Sequence, residues 1–172
     1  MASFAEIKYD NNEVLRVVLI NDQDVNTNGG ELSSQSEEWV KNNVSEDLYL
    51  KNINNWEAYP QTYWKQTSYS GKFRKQYSET GMVFDSVNNV FIKKQPFTSW
   101  SLDNNFDWQP PILRPESQYL NVIGSWKGEP KTLILTWDEE LQRFESYDYN
   151  LPRNEIYWDS INKQWIMTGV QI

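Results

Sequence analysis

The feature that most constrains the fold is a unit that occurs three times: an aromatic residue followed by Asp, with a second aromatic seven positions after the first. Asp is favoured at the first position of a type I turn, and residues flanking a short turn face each other across antiparallel strands. Each unit therefore predicts a β-hairpin closed by a cross-strand pair of rings. The copies are Phe84-Asp85…Phe91, Trp137-Asp138…Phe144 and Trp158-Asp159…Trp165, with a looser, shorter copy at Leu102-Asp103…Trp108.

Two more hairpins are predicted outside the repeated units. Residues 4–9 and 14–20 flank an Asx-rich turn, and residues 63–69 and 72–77 flank Ser70-Gly71, a pair suited to a tight turn. The second strand of the first hairpin ends in an uninterrupted apolar run, residues 17–20. Such a run is typical of a strand covered on both faces.

One helix is predicted, over residues 35–43. Ser34 followed by Glu37 is a capping-box pattern. Trp39, Val40 and Val44 would form the buried stripe, packed on the first hairpin. Residues 45–60 show no regular pattern, and we expect them to be irregular.

These elements predict a mainly β protein, α+β at the N-terminus, made of successive antiparallel β-hairpins with one short helix. Prolines separate the hairpins, and they are densest between residues 109 and 117. The predicted division is residues 1–112, with the first hairpin, the helix and the aromatic hairpins, and residues 113–172, with the Trp-Asp hairpins.

The composition excludes several kinds of chemistry. The chain has 172 residues, with no Cys and no His, which excludes disulfides, Cys/His zinc sites and His- or Cys-dependent triads. The net charge of −8 disfavours nucleic acid as a partner, because phosphate backbones are repelled. No apolar run approaches the ~18 residues that span a bilayer, so no membrane association is expected.

Two local patterns raise chemical alternatives that the sequence argues against. Residues 24–29 resemble the start of a calcium loop, but Gln35 stands where a bidentate Glu is required. Adjacent acids at Glu37-Glu38 and Glu139-Glu140 could serve a glycosidase only if distant carboxylates converge in a cleft. We therefore expect no metal, no cofactor and no enzymatic activity.

The aromatic residues leave two binding functions open. Nine Trp, ten Tyr and seven Phe exceed what paired strands need. Exposed Trp and Tyr are typical of protein interfaces, and flat rings also suit sugar stacking. A carbohydrate-binding module recognising host-surface glycans therefore stays an alternative to a protein-docking role.

Several stretches resemble a group of small proteins from marine cyanobacterial tailed phages. The match includes residues 1–7, 14–18 and 38–40, and it is strongest over residues 63–69 and 73–75. It continues through Phe84-Asp85, residues 90–92 and residues 95–102, where the group usually reads Tyr-Asp…Ala-Phe-Ile-Pro-Pro-Pro-Tyr-Ser-Trp; here Lys93-Lys94 replace prolines. Beyond about residue 115 only the Trp-Asp hairpins are similar.

The resemblance implies a virion structural protein without catalytic residues, assembled in the host cytoplasm. Head decoration is favoured over a tail fibre or adaptor, since the chain has no heptads or low-complexity shaft. The expected partner is the major capsid protein, and a homo-oligomer stays open. We expect docking through the aromatic stretch 56–108, which carries a short basic cluster. The predicted docking residues are Trp64, Tyr69, Lys72, Arg74, Lys75 and Trp100.

Overall fold

A computed structural model describes residues 1–116, 121–123, 130–132, 134–147 and 155–168. The described strands pair antiparallel, and three helices lie in the N-terminal part, so the predicted mainly β fold with an α+β N-terminus is confirmed. The chain forms two compact units, Met1–Lys94 (unit 1) and Gln95–Ile172 (unit 2). The division into domains at residue 112 stays a prediction.

Unit 1 is built on a three-stranded sheet. Strands β1 (Ala2–Lys8) and β2 (Val14–Ile20) form the predicted first hairpin, and β3 (Thr62–Thr67) pairs with the other edge of β1. The predicted hairpin of residues 63–77 is not formed. Arg74 and Lys75 adopt positive φ angles of 55° and 69°, which interrupt an extended strand.

The outer strand of this sheet is less enclosed than its sequence predicts. Ile20 is buried, Val17 and Val18 are half-buried, and Leu19 is exposed. The expectation that residues 17–20 are covered on both faces is therefore wrong. β2 is an edge strand of the sheet and, among the described strands, pairs only with β1.

The described residues hold three helices rather than the single one predicted: α1 (Asp22–Thr27), α2 (Ser34–Asn43) and α3 (Leu48–Ile53). Helices α1 and α3 are six residues long, so neither shows a helical period in the sequence. Each begins with an Asx cap: Asn21 accepts from the Gln23 N–H, and Asp47 accepts from the Leu50 N–H. The calcium-like residues 24–29 lie mostly within α1.

Helix α2 lies where the sequence predicts it, but its cap differs. Ser33, not Ser34, is the N-cap and accepts from the Ser36 N–H at 3.0 Å. Glu37 is therefore not part of a capping box; its carboxylate faces β3 and is buried. The predicted stripe is confirmed: Val40 is buried, and Trp39 and Val44 pack against the same core.

Two hydrophobic clusters flank the sheet of unit 1. One joins α1 and α2 to the sheet through Phe4, Ile20, Val25, Val40 and Trp64. The other joins the sheet to the first repeated hairpin, and its members are Ala5, Ile7, Val14, Met82, Phe84 and Phe91. That hairpin consists of β4 (Val83–Asp85) and β5 (Val90–Ile92).

Unit 2 contains a four-stranded sheet, in the order β10 (Ile134–Asp138), β11 (Arg143–Tyr147), β12 (Glu155–Asp159) and β13 (Gln164–Thr168). The shorter copy of the repeat forms β6 (Ser101–Leu102) and β7 (Trp108–Gln109). A further pair joins β8 (Asn121–Ile123) to β9 (Pro130–Thr132).

The hairpins predicted from the repeat are confirmed, with their rings paired. Phe84 lies opposite Phe91, Trp137 opposite Phe144 and Trp158 opposite Trp165. The ring centroids are 5.0, 4.9 and 5.5 Å apart, respectively. In the shorter copy Leu102 lies opposite Trp108. Each such pair adds roughly 0.2–1 kcal/mol to hairpin stability relative to Ala–Ala.

The Asp of each unit closes its turn. Asp85 Oδ1 accepts from the Val87 and Asn88 N–H groups at 2.9 and 3.0 Å, and Asp159 accepts from the equivalent pair in its own turn. The residue four positions after the Asp then has a positive φ, as at Asn89 and Lys163. The turn chemistry is thus repeated together with the ring pair.

Candidate functional site

Two of the six predicted docking residues, Tyr69 and Lys72, are exposed on the loop that follows β3. Tyr69 is 88% exposed, and the centroid of its ring lies 5.5 Å from that of Tyr77 in an edge-to-face arrangement. The loop is a tight turn, because Ser68 accepts from the Gly71 N–H through its carbonyl and from the Lys72 N–H through its hydroxyl. Both side chains border a surface cleft of about 600 Å³.

Trp64 lies in the core of unit 1. It is only 4% exposed and packs with Phe4 and Val40, and the Arg16 guanidinium lies 5.6 Å from its ring. A docking residue must reach its partner, so Trp64 is not a contact residue of the folded protein. Its side chain stabilises the helix–sheet packing instead.

Arg74 is also an interior residue. Its guanidinium donates to the Glu37 carboxylate at 2.9 Å, to the Gln66 carbonyl, and to the Asn89 amide oxygen at 3.0 Å. The Lys65 ammonium donates to the other oxygen of Glu37 at 2.5 Å. The positive charge of Arg74 is therefore neutralised inside the unit, and it does not contribute to a basic surface.

Lys75 and Trp100 complete the predicted set, and both are half-buried. Lys75 belongs to unit 1 and Trp100 to unit 2. In unit 2 the Trp100 ring packs against Phe97 and Trp137, at centroid distances of 5.6 and 5.9 Å. Trp100 is therefore part of an aromatic cluster that also includes Phe144.

Glu139, which the sequence places in a solvated turn, holds this cluster in place. Its carboxylate accepts from the Ser99 N–H and hydroxyl at 2.8 and 2.7 Å, from the Thr98 hydroxyl, and from the Trp137 indole N–H at 2.8 Å. These donors lower the pKa of Glu139 to about 2, with the Thr98 hydroxyl contributing most. The Glu139 carboxylate is therefore engaged in hydrogen bonds that maintain the structure.

The structure reveals an exposed apolar surface that sequence reasoning missed. Helix α3 contains no buried residue, and its apolar side chains Leu48, Tyr49 and Ile53 are 66%, 71% and 55% exposed. We refer to these three side chains as the α3 surface. The segment has four apolar residues within six, but it is too short to show the helical period that would identify a helix.

Polar contacts fix the start of α3. The Arg16 guanidinium donates to the Ser45 carbonyl at 2.7 Å and to the carboxylate of Asp47, the N-cap of α3, at 3.4 Å. Arg16 is itself held by the buried carboxylate of Glu6 at 2.5 Å. The start of the helix is thus attached to the sheet through charged groups, while Leu48, Tyr49 and Ile53 stay exposed.

Glu6 extends this network beyond α3. It accepts from the Tyr59 hydroxyl at 3.0 Å and from the Thr62 hydroxyl at 2.8 Å. Burial, together with the nearby Glu6 charge, raises the pKa of Tyr59 to about 12. Tyr59 therefore stays neutral across the physiological pH range, and its hydroxyl donates a hydrogen bond to the Glu6 carboxylate.

Within the described ranges, no group of three or more Asp and Glu side chains is arranged to hold a metal ion. In the same ranges, no helix is long and apolar enough to cross a membrane. No family model matches the sequence, and no curated protein or solved structure matches it either. The resemblance to the cyanobacterial phage group therefore stays a prediction.

Proposed function

We propose that this chain is a structural protein of a tailed-phage virion that decorates the capsid and attaches through the α3 surface. The observation that carries the proposal is the contrast within α3. The helix is positioned by Arg16 and Asp47, while Leu48, Tyr49 and Ile53 remain exposed. Exposed apolar clusters of this kind mark protein interfaces, and Tyr is enriched among hot-spot residues.

The charges around α3 favour a different protein as partner over a second copy of this chain. Glu46 and Glu57 are exposed and flank the helix in the sequence, Lys51 lies within it, and the whole chain carries a net charge of −8. Pairing two such surfaces would bring like charges together. Together with the phage resemblance, this supports the capsid shell protein as the partner.

The burial of Arg74 changes the expected mechanism of attachment. The basic cluster was expected to be part of the docking surface, but the charge of Arg74, like that of Lys65, neutralises Glu37 inside unit 1. Attachment through the α3 surface would instead depend mainly on apolar burial, at roughly 25 cal/mol per Å². Its affinity should then change little between low and high salt, since screening acts on exposed charges.

The test is rebinding of purified variants to capsids that lack this protein, measured by co-sedimentation over a protein titration. Tyr49→Ala should weaken attachment at least about tenfold if Tyr49 is a hot spot. Tyr69→Ala is the matched control, because it removes another exposed tyrosine ring, from the loop that the sequence favoured. It should rebind as the unmodified protein does.

Three outcomes would contradict the proposal. If both variants rebind with unchanged affinity, attachment does not use either exposed ring. If Tyr69→Ala alone weakens attachment, the loop after β3 is the docking surface and the α3 surface is not. A dimer of the free protein that Tyr49→Ala dissociates would contradict the choice of partner.

A further inference from the structure

A concave site in unit 1 lies beside Tyr69. It lies where the N-terminal end of β1 meets the C-terminal end of β3 and faces α1. Its volume of about 600 Å³ is within the range of small-molecule sites, roughly 300–1,000 Å³. It does not involve the α3 surface, so its function can be tested separately.

Gln66 provides a side-chain hydrogen-bond donor in the wall of the cleft. Its side chain is 3% exposed, and its amide oxygen accepts from the Leu32 N–H at 2.6 Å. That bond fixes the orientation of the amide, so the NH₂ group is on the other side. Among the described residues the NH₂ group has no acceptor, and because it is not fully enclosed it can donate to water or to a ligand oxygen in the cleft.

Tyr69 provides a flat apolar surface at the rim. Its ring touches Tyr77 edge-to-face and is otherwise exposed, and the tight turn at Ser68 limits its movement. An aromatic ring of this kind can pack against the C–H face of a sugar, while its hydroxyl stays hydrated. Such stacking buries apolar surface of the ring and the sugar, and it requires no charge on the ligand.

The charges in the cleft balance. The carboxylate of Asp22 is paired with the N-terminal ammonium of Met1 at 2.6 Å, and Glu31 and Lys72 contribute one further charge of each sign. Ser70 and Asn26 add neutral groups that both donate and accept. The balanced charges give a phosphate or carboxylate no net attraction, whereas a neutral polyhydroxylated ligand can satisfy donors and acceptors together.

We propose that this cleft binds a neutral carbohydrate, with one sugar ring stacked on Tyr69 and a ring hydroxyl accepting from the Gln66 amide. Glu31 accepts from a second hydroxyl, and Lys72 donates to a third. A protein attached to a particle through α3 would then carry a weak glycan site of its own. The two sites share no residue, so loss of one leaves the other intact.

The experiment is a titration of ¹⁵N-labelled protein followed by NMR, with maltose, cellobiose, lactose and chitobiose as neutral probes and inorganic phosphate as the anionic one. At least one neutral disaccharide should shift the Gln66 side-chain NH₂ signals at concentrations up to about 50 mM, which covers millimolar dissociation constants. If no disaccharide shifts these signals, or if phosphate alone does, the proposal is wrong.

Matched variants identify the stacking ring. Tyr69→Ala should weaken binding of the active disaccharide at least about tenfold, since sugar stacking depends on the ring, and Tyr69→Phe should retain most of the affinity. Tyr49→Ala should bind as the unmodified protein does. Equal affinity of Tyr69→Ala and unmodified protein would overturn the site, whereas failure of capsid attachment would bear only on α3.

Discussion

The Arg74 guanidinium donates to the Glu37 carboxylate at 2.9 Å, with the two side chains only 6% and 9% exposed. The pair connects the segment after β3 to helix α2. Because the pair is buried, a charge change at residue 74 should affect the stability of the fold before it affects binding.

Arg74→Glu is therefore expected to destabilise unit 1, by roughly 3–5 kcal/mol, because it leaves Glu37 facing a second buried carboxylate. Urea denaturation followed by tryptophan fluorescence measures the loss. Lys72→Glu, the same charge change at an exposed position two residues away, should stay within about 0.5 kcal/mol of the unmodified protein. Similar stability of the two variants would show that the ion pair contributes little.

The repeated turns should depend on their Asp residues. Asp85→Ala removes the acceptor of two backbone N–H groups and should destabilise the protein by about 1 kcal/mol per hydrogen bond lost, reduced where water replaces the carboxylate. Asp85→Asn keeps an acceptor oxygen and should lose less. Asp10→Ala, in the first hairpin turn, is the control. Chemical denaturation compares the three, and equal losses would contradict a specific role for Asp85.

The local part of the fold was predictable from the sequence, whereas the non-local part was not. The ring pair and the turn Asp of each repeat lie within eight residues, so spacing alone predicted Trp158 opposite Trp165. The partner of β3 is β1, about 60 residues away, and the local Ser70-Gly71 turn suggested a nearer strand. Helix α3 was missed because a six-residue helix has no measurable period.

The candidate site was harder to predict, because a residue type does not determine burial. Trp64 and Tyr69 are both aromatic and stand five positions apart, yet one is in the core and the other is exposed. Arg74 was expected to be a surface cation since nothing local indicated Glu37 as its partner. The α3 surface had no sequence motif, and nothing local indicated that its apolar side chains would stay exposed.

The stability of unit 2 should decrease at low pH because Glu139 becomes protonated. The pKa of this carboxyl is lowered from 4.5 to about 2, so its contribution is complete above about pH 4.5 and is lost as the pH falls towards 2. The melting temperature of the unmodified protein should exceed that of Glu139→Gln most at neutral pH, and the two should converge near pH 2. Glu140→Gln is the control. A difference that does not change with pH would contradict this role of the charge.

Removal of divalent metal should leave stability unchanged. The calcium-like residues 24–29 lie largely in helix α1, whose cap is Asn21, and Gln35 replaces the terminal Glu of a calcium loop. Thermal melts with and without a chelator measure the effect. A melting temperature that falls by several degrees with chelator would reveal a metal site and contradict this expectation.

The copy number of this chain in purified phage particles tests the proposed function most directly. Quantitative mass spectrometry, with the major capsid protein as the internal reference, gives that number. Head decoration predicts hundreds of copies per particle, because a decoration protein repeats with the shell lattice. A dozen or so copies would place the protein in the tail and contradict decoration, and absence from purified particles would contradict a virion role altogether.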